Sequence, residues 1–239
     1  MVITRQTFLR LSGITLVAGA ARRLVGAIMP ARYGMAIDME KCRKQPNCTK
    51  CIDACHQIHN VPSIPDPKRE VRWVWRDSAE HAFREENDYS PEGKLPVMVM
   101  CNQCDNPPCT RVCPTQATWK REDGIVAMDF HRCIGCRYCM AACPYGSRSF
   151  NWMDPRPYIH AANPDFPTRT KGVVEKCNMC SERIAVGKQP ACVEICPEKA
   201  LTFGNLADPN SAIRELLKSR RALRRRPELG TRPSVFYLS

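Results

Sequence analysis

Short apolar runs that lead into cysteine-rich loops recur along the chain. They occupy residues 35–38, 97–100, 125–129 and 173–175, and a first cysteine follows each of them closely. Their short length and flanking sequences predict buried strands. Each loop leaves room for one helical turn. The pattern therefore predicts an α+β fold that is rich in loops and built from short strands and helices.

Two further stretches predict strands. Residues 118–120 and 125–128 flank the polar residues 121–124, which are typical of the turn in a β-hairpin. Residues 71–75 (VRWVW) alternate in character and predict a strand inside an insertion. We interpret the two tryptophans of this stretch as a packed strand face rather than as an electron relay.

The C-terminal part is predicted to form a basic helix. Asp208 as a cap and Pro209 in the first turn favour a helix start, and Pro227 is expected to end the helix after residues 224–226, which are all arginine. Cationic side chains suit the C-terminal end of a helix dipole. Two hypotheses for this basic face are a solvated surface, and contact with an acidic partner or anionic lipid head groups.

Two insertions interrupt the repeat, at residues 56–96 and 151–171. The second is rich in proline and polar residues. Loops of this length inside a compact unit are commonly functional, so partner docking and a solvated surface excursion are both retained as hypotheses.

The chain contains 16 cysteines, far more than packing requires. They form four groups of four with none left over: Cys42, Cys48, Cys51 and Cys55; Cys101, Cys104, Cys109 and Cys113; Cys133, Cys136, Cys139 and Cys143; Cys177, Cys180, Cys192 and Cys196. This pattern argues against a disulfide-bonded protein, because thiols so close together in tight loops cannot all reach disulfide geometry. Structural zinc usually takes two ligands from each of two loops. Three thiols in a C-x2-C-x2-C arc, with a displaced fourth followed by proline, are typical of iron-sulfur ligation, so we expect four [4Fe-4S] clusters.

The formal net charge of +12 would by itself suit a nucleic-acid-binding protein. However, a [4Fe-4S] core with four thiolates carries a charge of about −2, so four of them leave about +4 on the loaded protein. The basic composition therefore mostly compensates for the clusters, and no nucleic-acid partner is predicted.

Residues 1–32 have the outline of an export signal or membrane anchor. Residues 5–10 (RQTFLR) resemble a twin-arginine motif in which glutamine replaces the second arginine, and the apolar stretch at 11–21 is too short to span a bilayer. Because oxygen-sensitive clusters are inserted before export, a route for folded proteins is favoured. We expect a location on the extracytoplasmic (periplasmic) face of the cytoplasmic membrane, peripheral or anchored by an uncleaved segment. A cytoplasmic protein with an amphipathic start is the alternative.

The cysteine blocks resemble the four-cluster electron-transfer subunits of membrane-bound oxidoreductases, such as polysulfide, dimethyl sulfoxide and nitrite reductases. Within this group, the chain from residue 33 onward is similar to the DsrO family, the ferredoxin-like extracytoplasmic subunits of the DsrMKJOP complexes of sulfur-metabolising prokaryotes. The similarity is carried by residues 54–62 (ACHQIHNVP), 72–75 (RWVW), 81–83 (HAF), 101–109 (CNQCDNPPC), 119–125 (WKREDGI) and 227–235 (PELGTRPSV).

The resemblance implies that the last cysteine of each group crosses to another group. It gives four ligand sets: cluster 1 on Cys42, Cys48, Cys51 and Cys196; cluster 2 on Cys177, Cys180, Cys192 and Cys55; cluster 3 on Cys101, Cys104, Cys109 and Cys143; cluster 4 on Cys133, Cys136, Cys139 and Cys113. The first group departs from the family pattern, because it opens C-x5-C and has His56 rather than proline after Cys55. His56 or His59 could replace a ligand as in Rieske centres, but with four cysteines present we expect them beside a cluster or at the surface.

The implied architecture has two interleaved ferredoxin-like lobes, each with two [4Fe-4S] clusters. Residues 33–96 begin lobe A and contain the first insertion, and residues 97–150 form lobe B. Residues 151–207 carry the second insertion and complete lobe A, and residues 208–239 form the basic helix and tail.

The sequence contains no P-loop, dinucleotide fingerprint or nucleophile with an evident base, so we expect an electron-transfer subunit without a substrate site of its own. The partners that the resemblance implies are an NrfD-type integral membrane subunit (DsrP), a multihaem cytochrome c (DsrJ), and DsrM with DsrK. The menaquinone pool would be reached indirectly. Alternatives are the iron-sulfur subunit of a molybdopterin oxidoreductase, a zinc-binding nucleic-acid module, and an assembly factor that holds clusters in transit.

Overall fold

Short strands and helices joined by long loops make up residues 30–83 and 95–239, which the computed structural model describes. Within these residues the strands are β1 (Tyr33–Asp38), β2 (Val74–Ser78), β3 (Pro96–Met100), β4 (Thr118–Lys120), β5 (Val126–Met128), β6 (Ser149–Phe150), β7 (Val174–Glu175), β8 (Leu201–Asn205), β9 (Ala222–Leu223) and β10 (Val235–Leu238). The helices are α1 (Met39–Arg43), α2 (Lys50–Ile58), α3 (Ala79–Phe83), α4 (Pro108–Arg111), α5 (Tyr138–Ala141), α6 (Ser181–Ala185), α7 (Ala191–Glu194) and α8 (Ala212–Ser219). None of the helices in this part of the chain is long and apolar enough to cross a membrane. The signal predicted at residues 1–32 lies outside the described residues except for its last three.

The largest sheet joins the two ends of the described chain. Its strand order is β8-β1-β10-β9, with β1 parallel to β10 and antiparallel to β8. Met35 lies opposite Val235 in the parallel pair. The remaining strands form three two-stranded antiparallel pairs, β2–β3, β4–β5 and β6–β7.

The strands predicted before the cysteine loops are confirmed as β1, β3, β5 and β7, and the predicted hairpin as β4–β5. The stretch 71–75 is strand only in part, because β2 begins at Val74. Trp73 precedes the strand and is fully buried, in agreement with its interpretation as a packing residue. The described residues from Ala31 onward form one compact unit, so the division into two interleaved lobes stays a prediction.

Apolar residues from both faces of the main sheet are buried. On one face, Met35 and Tyr237 belong to the main core, which also contains several of the cysteines. On the other face, Ile213 of α8 packs against the sheet. Gly204 in β8 allows this close approach, because a Cβ at that position would lie 2.8 Å from Ile213 Cγ2.

The predicted C-terminal helix is wrong at both ends. The helix α8 begins after Ser211 rather than at Asp208, and it ends at Ser219 rather than at Arg226. The helix ends there because the residues that follow form β9, whose backbone N–H and C=O groups pair with β10 in the sheet. Arg225 and Arg226 are then buried, so they do not belong to a basic face for a partner or lipid.

The second insertion folds back onto the loop that follows α2. Asn163 N–H donates to Asn60 Oδ1 at 2.6 Å, and Asn163 Nδ2 donates to the Ile58 carbonyl at 2.7 Å. Arg169 is fully buried and donates to the Asn60 carbonyl at 2.7 Å. Both hypotheses for this insertion, docking and solvated excursion, therefore apply only to its exposed middle part. The first insertion contains β2 and α3, and its residues 84–94 lie outside the described residues.

Candidate metal centres

The sixteen cysteines come together in four sets, which we name sites 1 to 4. Three sets each line a cavity: Cys42, Cys48, Cys51 and Cys196 at site 1, Cys101, Cys104, Cys109 and Cys143 at site 3, and Cys113, Cys133, Cys136 and Cys139 at site 4. Site 2 is a buried set of four thiols, in which burial and neighbouring thiols raise the pKa of Cys55 and Cys192. Its members are Cys55, Cys177, Cys180 and Cys192. Each site takes three cysteines from one segment and the fourth from another. The structure thus brings together the same cysteines that the resemblance groups.

The five-residue spacer between Cys42 and Cys48 is hydrogen-bonded to another segment of site 1. Residues 44–49 connect α1 to α2, and the first four of them lie between Cys42 and Cys48. Gln45 Nε2 donates to Glu198 Oε1 at 2.7 Å, which joins this loop to the turn that follows Cys196. The C-x5-C spacing therefore still places Cys42 in the cavity of site 1.

A buried histidine lies against site 2. His59 is 1% exposed, with Nδ1 3.6 Å from Cys55 Sγ and Nε2 2.8 Å from Glu182 Oε1. Burial alone would lower the pKa of His59, but its contacts with Cys180 and Glu182 raise it to about 9. Its ring stacks on Trp73, with 4.7 Å between the ring centroids. The histidine therefore lies directly beside the four thiols of site 2.

Hydrogen-bond donors point at the thiols. Met179 N–H lies 3.4 Å from Cys177 Sγ, and Ala200 N–H lies 3.3 Å from Cys196 Sγ. Burial alone would raise the pKa of Cys113, but surrounding backbone N–H groups and a threonine hydroxyl lower it. Such donors stabilise charged thiolates and are one of the means by which proteins tune iron-sulfur centres.

Site 4 depends on a glycine between two of its cysteines. Gly135 has a φ of 70°, in the left-handed region that favours glycine. A Cβ at this position would lie 2.2 Å from the Gly172 carbonyl oxygen and 3.2 Å from the ring of Phe150. The cysteine loop therefore approaches the neighbouring backbone more closely than any side chain allows.

The four sites form a row in the order 1, 2, 3, 4. Cys51 of site 1 and Cys55 of site 2 lie one turn apart on α2. After burial, Cys101 of site 3 is the largest cause of the raised pKa of Cys177 in site 2. Arg148 lies between thiols of sites 3 and 4 and is acted on by both. Neighbouring sites therefore share either a helix, an electrostatic contact or a side chain.

The ends of this row are nearer the surface than its middle. All four cysteines of site 2 and three of site 3 are buried, whereas all four of site 1 and three of site 4 are half-buried. Beside site 4, Ile134 and Tyr138 are 67% and 62% exposed. The row therefore has two accessible ends.

The donor sets fit iron-sulfur clusters. Burial and the charges of neighbouring thiols raise the pKa of Cys51 to about 12, and burial also raises the pKa of Cys143. Four crowded thiols cannot all ionise at neutral pH unless a cationic core compensates their charge. Thiolates are soft ligands that suit an iron-sulfur core.

Sequence reasoning missed the charged side chains between the sites. Arg148 and Lys176 are buried, and Lys176 Nζ donates to the Cys177 carbonyl at 2.9 Å and to the Val126 carbonyl beside site 3. Neither residue has the spacing of a metal ligand. The only available signal was position, since Lys176 directly precedes a cysteine of site 2.

Comparison with known proteins gives the family. Residues 95–156 and 157–206 match the 4Fe-4S dicluster domain. The chain is 41% identical over 226 residues to the Hdr-like menaquinol oxidoreductase iron-sulfur subunit 1 of Archaeoglobus fulgidus, with 86% of this chain and 82% of that protein covered. It is 37% identical to the menaquinone reductase iron-sulfur cluster-binding subunit of Nitratidesulfovibrio vulgaris, with coverage of 87% and 89%. It is also 37% identical to the B subunit of polysulfide reductase from Wolinella succinogenes, with coverage of 87% and 94%.

The chain therefore belongs to the family of iron-sulfur electron-transfer subunits of oxidoreductase complexes. Its two dicluster matches and its 16 cysteines fit four [4Fe-4S] clusters.

Proposed function

We propose that the chain relays electrons through four [4Fe-4S] clusters, one held by the four cysteines of each site. The observation that carries this proposal is the row of sites, with buried sites in the middle and half-buried sites at both ends. The clusters supply one-electron redox chemistry when bound. The cysteine thiolates of the chain would hold the clusters. Burial of the cysteines keeps water away from the middle of the row, and backbone N–H groups donate hydrogen bonds to sulfur.

We propose further that the chain is a DsrO-type subunit of a DsrMKJOP-type complex in dissimilatory sulfur metabolism. Its similarity to a menaquinol oxidoreductase subunit and to a menaquinone reductase subunit supports exchange with the menaquinone pool. The partners would be the NrfD-type membrane subunit (DsrP), the multihaem cytochrome c (DsrJ), DsrM and DsrK. Exposed Ile134 and Tyr138 beside site 4 favour contact with an apolar partner at that end.

A second candidate is the iron-sulfur subunit of a molybdopterin oxidoreductase. The similarity to the polysulfide reductase B subunit favours it. Purification of the native complex separates the two: a large catalytic subunit with molybdopterin supports this candidate, and a small haem protein supports the DsrMKJOP type.

We propose an extracytoplasmic location, which the arginine-containing pattern of residues 5–10 supports. Fusion of residues 1–32 to a reporter that is active only after twin-arginine export tests this. We expect export, and we expect Arg5→Gln to abolish it. A reporter that stays in the cytoplasm with both sequences would contradict the proposal.

The relay function is tested by measuring anaerobic iron and acid-labile sulfide per chain, with EPR spectra of the dithionite-reduced protein. We expect about sixteen irons and spectra broadened by spin coupling between neighbouring clusters. About twelve irons would mean that one site holds no four-iron cluster, with the C-x5-C site the first to examine. Zinc in place of iron would overturn the proposal.

A further inference from the structure

Arg148 is a buried cation between two of the cysteine sites. It directly precedes β6 and is 4% exposed. Its Nη2 donates to Cys109 Sγ of site 3 at 3.0 Å. Its charge also acts on Cys139 of site 4. One guanidinium group therefore faces two sites.

Thiols balance the charge of this guanidinium. The ionisable groups that act most strongly on Arg148 are the thiols of Cys109, Cys139 and Cys101, which belong to sites 3 and 4. Within residues 30–83 and 95–239, no carboxylate forms a salt bridge with it. Burial of a guanidinium without an anionic partner is strongly unfavourable. The position of Arg148 is therefore suited to negative charge on sites 3 and 4 at the same time.

The hairpin β4–β5 holds this side chain in place. Thr118 Oγ1 accepts from Arg148 Nη2 at 2.9 Å and donates to the Ala127 carbonyl at 2.7 Å. Met128 Sδ lies 3.7 Å from Arg148 Nη1. A guanidinium held from two sides acts as a fixed charge, with little freedom to move when the charge of a site changes.

We propose that Arg148 is a positioning residue that raises the reduction potentials of the clusters at sites 3 and 4 together. The inference rests on the proposed function, since it requires clusters at both sites. A fixed positive charge and an N–H donor to sulfur both stabilise the more negative, reduced state. Because one side chain serves both sites, its removal lowers both potentials, while sites 1 and 2 keep theirs.

The test is an EPR-monitored redox titration of the purified, cluster-loaded protein and its variants. Arg148→Gln removes the charge, and we expect it to shift two of the four one-electron equilibria about tenfold toward the oxidised form, which is about 59 mV. Arg148→Lys keeps the charge, so its shifts should be smaller than those of the glutamine variant. The control Arg132→Gln removes the same charge from an exposed residue next to Cys133 and should move no potential measurably.

Two results with the glutamine variant would overturn the inference. One is four unchanged potentials at full iron content, and the other is a common shift of all four, which indicates general loosening. If the glutamine variant does not retain its clusters, a measurement on the wild-type protein tests the inference instead. Pulsed EPR on reduced protein with nitrogen-15-labelled arginine must then detect coupling of an arginine nitrogen to a cluster, and its absence rejects the inference. A wild-type chain without iron would instead contradict the proposed function itself.

Discussion

At the scale of single residues, buried polar groups near the sites are paired with one another. Arg169 and Glu175 form an ion pair with 2.6 Å between Nη2 and Oε2, and both side chains are fully buried. Trp73 Nε1 donates to the same carboxylate at 2.9 Å. Loss of either charge would leave the other buried and uncompensated, which is more costly than loss of an exposed pair.

The substitution Glu175→Gln is expected to destabilise the folded protein by about 3–5 kcal/mol, because the guanidinium of Arg169 loses its partner. Thermal transitions of the cluster-loaded proteins check this. The matched control is Asp154→Asn, which removes the partner of exposed Arg156 and should leave the transition unchanged. Equal effects of the two substitutions would contradict the prediction.

The substitution Gly135→Ala is expected to empty site 4, because its Cβ would overlap the Gly172 carbonyl. We expect a loss of about four of about sixteen irons per chain. Gly187 also has a positive φ, but a Cβ there would meet no atom within 4 Å, so Gly187→Ala tests backbone strain without overlap. Both variants place alanine at a positive φ, but only Gly135→Ala creates the overlap. Full iron content in Gly135→Ala would show that the loop can adjust.

Tyr237 predicts a dependence of stability on pH. Burial raises its pKa, so the folded protein keeps a proton that the unfolded chain loses above about pH 10. This contribution to stability is fully present below that pH and is lost as the pH rises further, by up to about 1.4 kcal/mol per pH unit. Tyr237→Phe lacks this loss, and it should be at least as stable near neutral pH, since the hydroxyl has no hydrogen-bond partner within the described part of the chain. Transition temperatures of both proteins measured from about pH 8 to about pH 11 should diverge, and a constant difference would be evidence against this role.

At the scale of elements, local signals predicted what local sequence determines. The strands before the cysteines and the hairpin β4–β5 follow from short apolar runs and turn residues, and the structure contains them. The end of α8 could not be predicted, because it depends on pairing of β9 with β10, a strand whose own position is set by β1 at the other end of the chain. The burial of Arg225 could not be predicted either. Its Nε donates to the carbonyl of Ala82, which is distant in the sequence, so no local pattern indicates this contact.

The cap of α1 is expected to control how firmly site 1 holds iron. Asp38 accepts from the Lys41 N–H at 3.0 Å and pairs with Arg220, and Cys42 lies in the same helix. Asp38→Ala removes a cap worth about 1 kcal/mol together with the ion pair, whereas Asp38→Asn retains capping ability. The rate of iron release to a chelator should therefore rise more in the alanine variant. Equal rates in both variants would argue against a role for the cap.

At the scale of the whole molecule, the metal centres and the apolar core are one structure. Cys55, Cys101, Cys177 and Cys192 belong to the same core as Met35 and Tyr237. The four ligand sets could be anticipated from the resemblance, but the order of the sites could not, because it depends on which cysteines of different groups meet. The charged residues between sites were equally hidden, since nothing in the spacing of Arg148 or Lys176 marks them.

Removal of iron is therefore expected to disrupt the tertiary structure as well as the redox activity. Sixteen thiols that lose their shared cationic cores would stay protonated and loosely packed at neutral pH. Near-UV circular dichroism and the cooperativity of thermal unfolding should fall together with iron content. A cooperative transition that persists in iron-free protein would show that the core folds independently of its metals.

The parallel pairing of β1 with β10 has a consequence for biosynthesis. The strand partners of β1 are Leu201–Asn205 and Val235–Leu238, and site 1 receives its fourth thiol from Cys196. A ribosome must therefore release these late residues before β1 is paired on both of its edges and before site 1 is complete. Sites 1 and 2 are completed late in synthesis, and an interrupted chain presents an open strand edge and uncovered apolar surface. Such features direct it toward chaperones and proteases, so the topology itself distinguishes finished chains from interrupted ones.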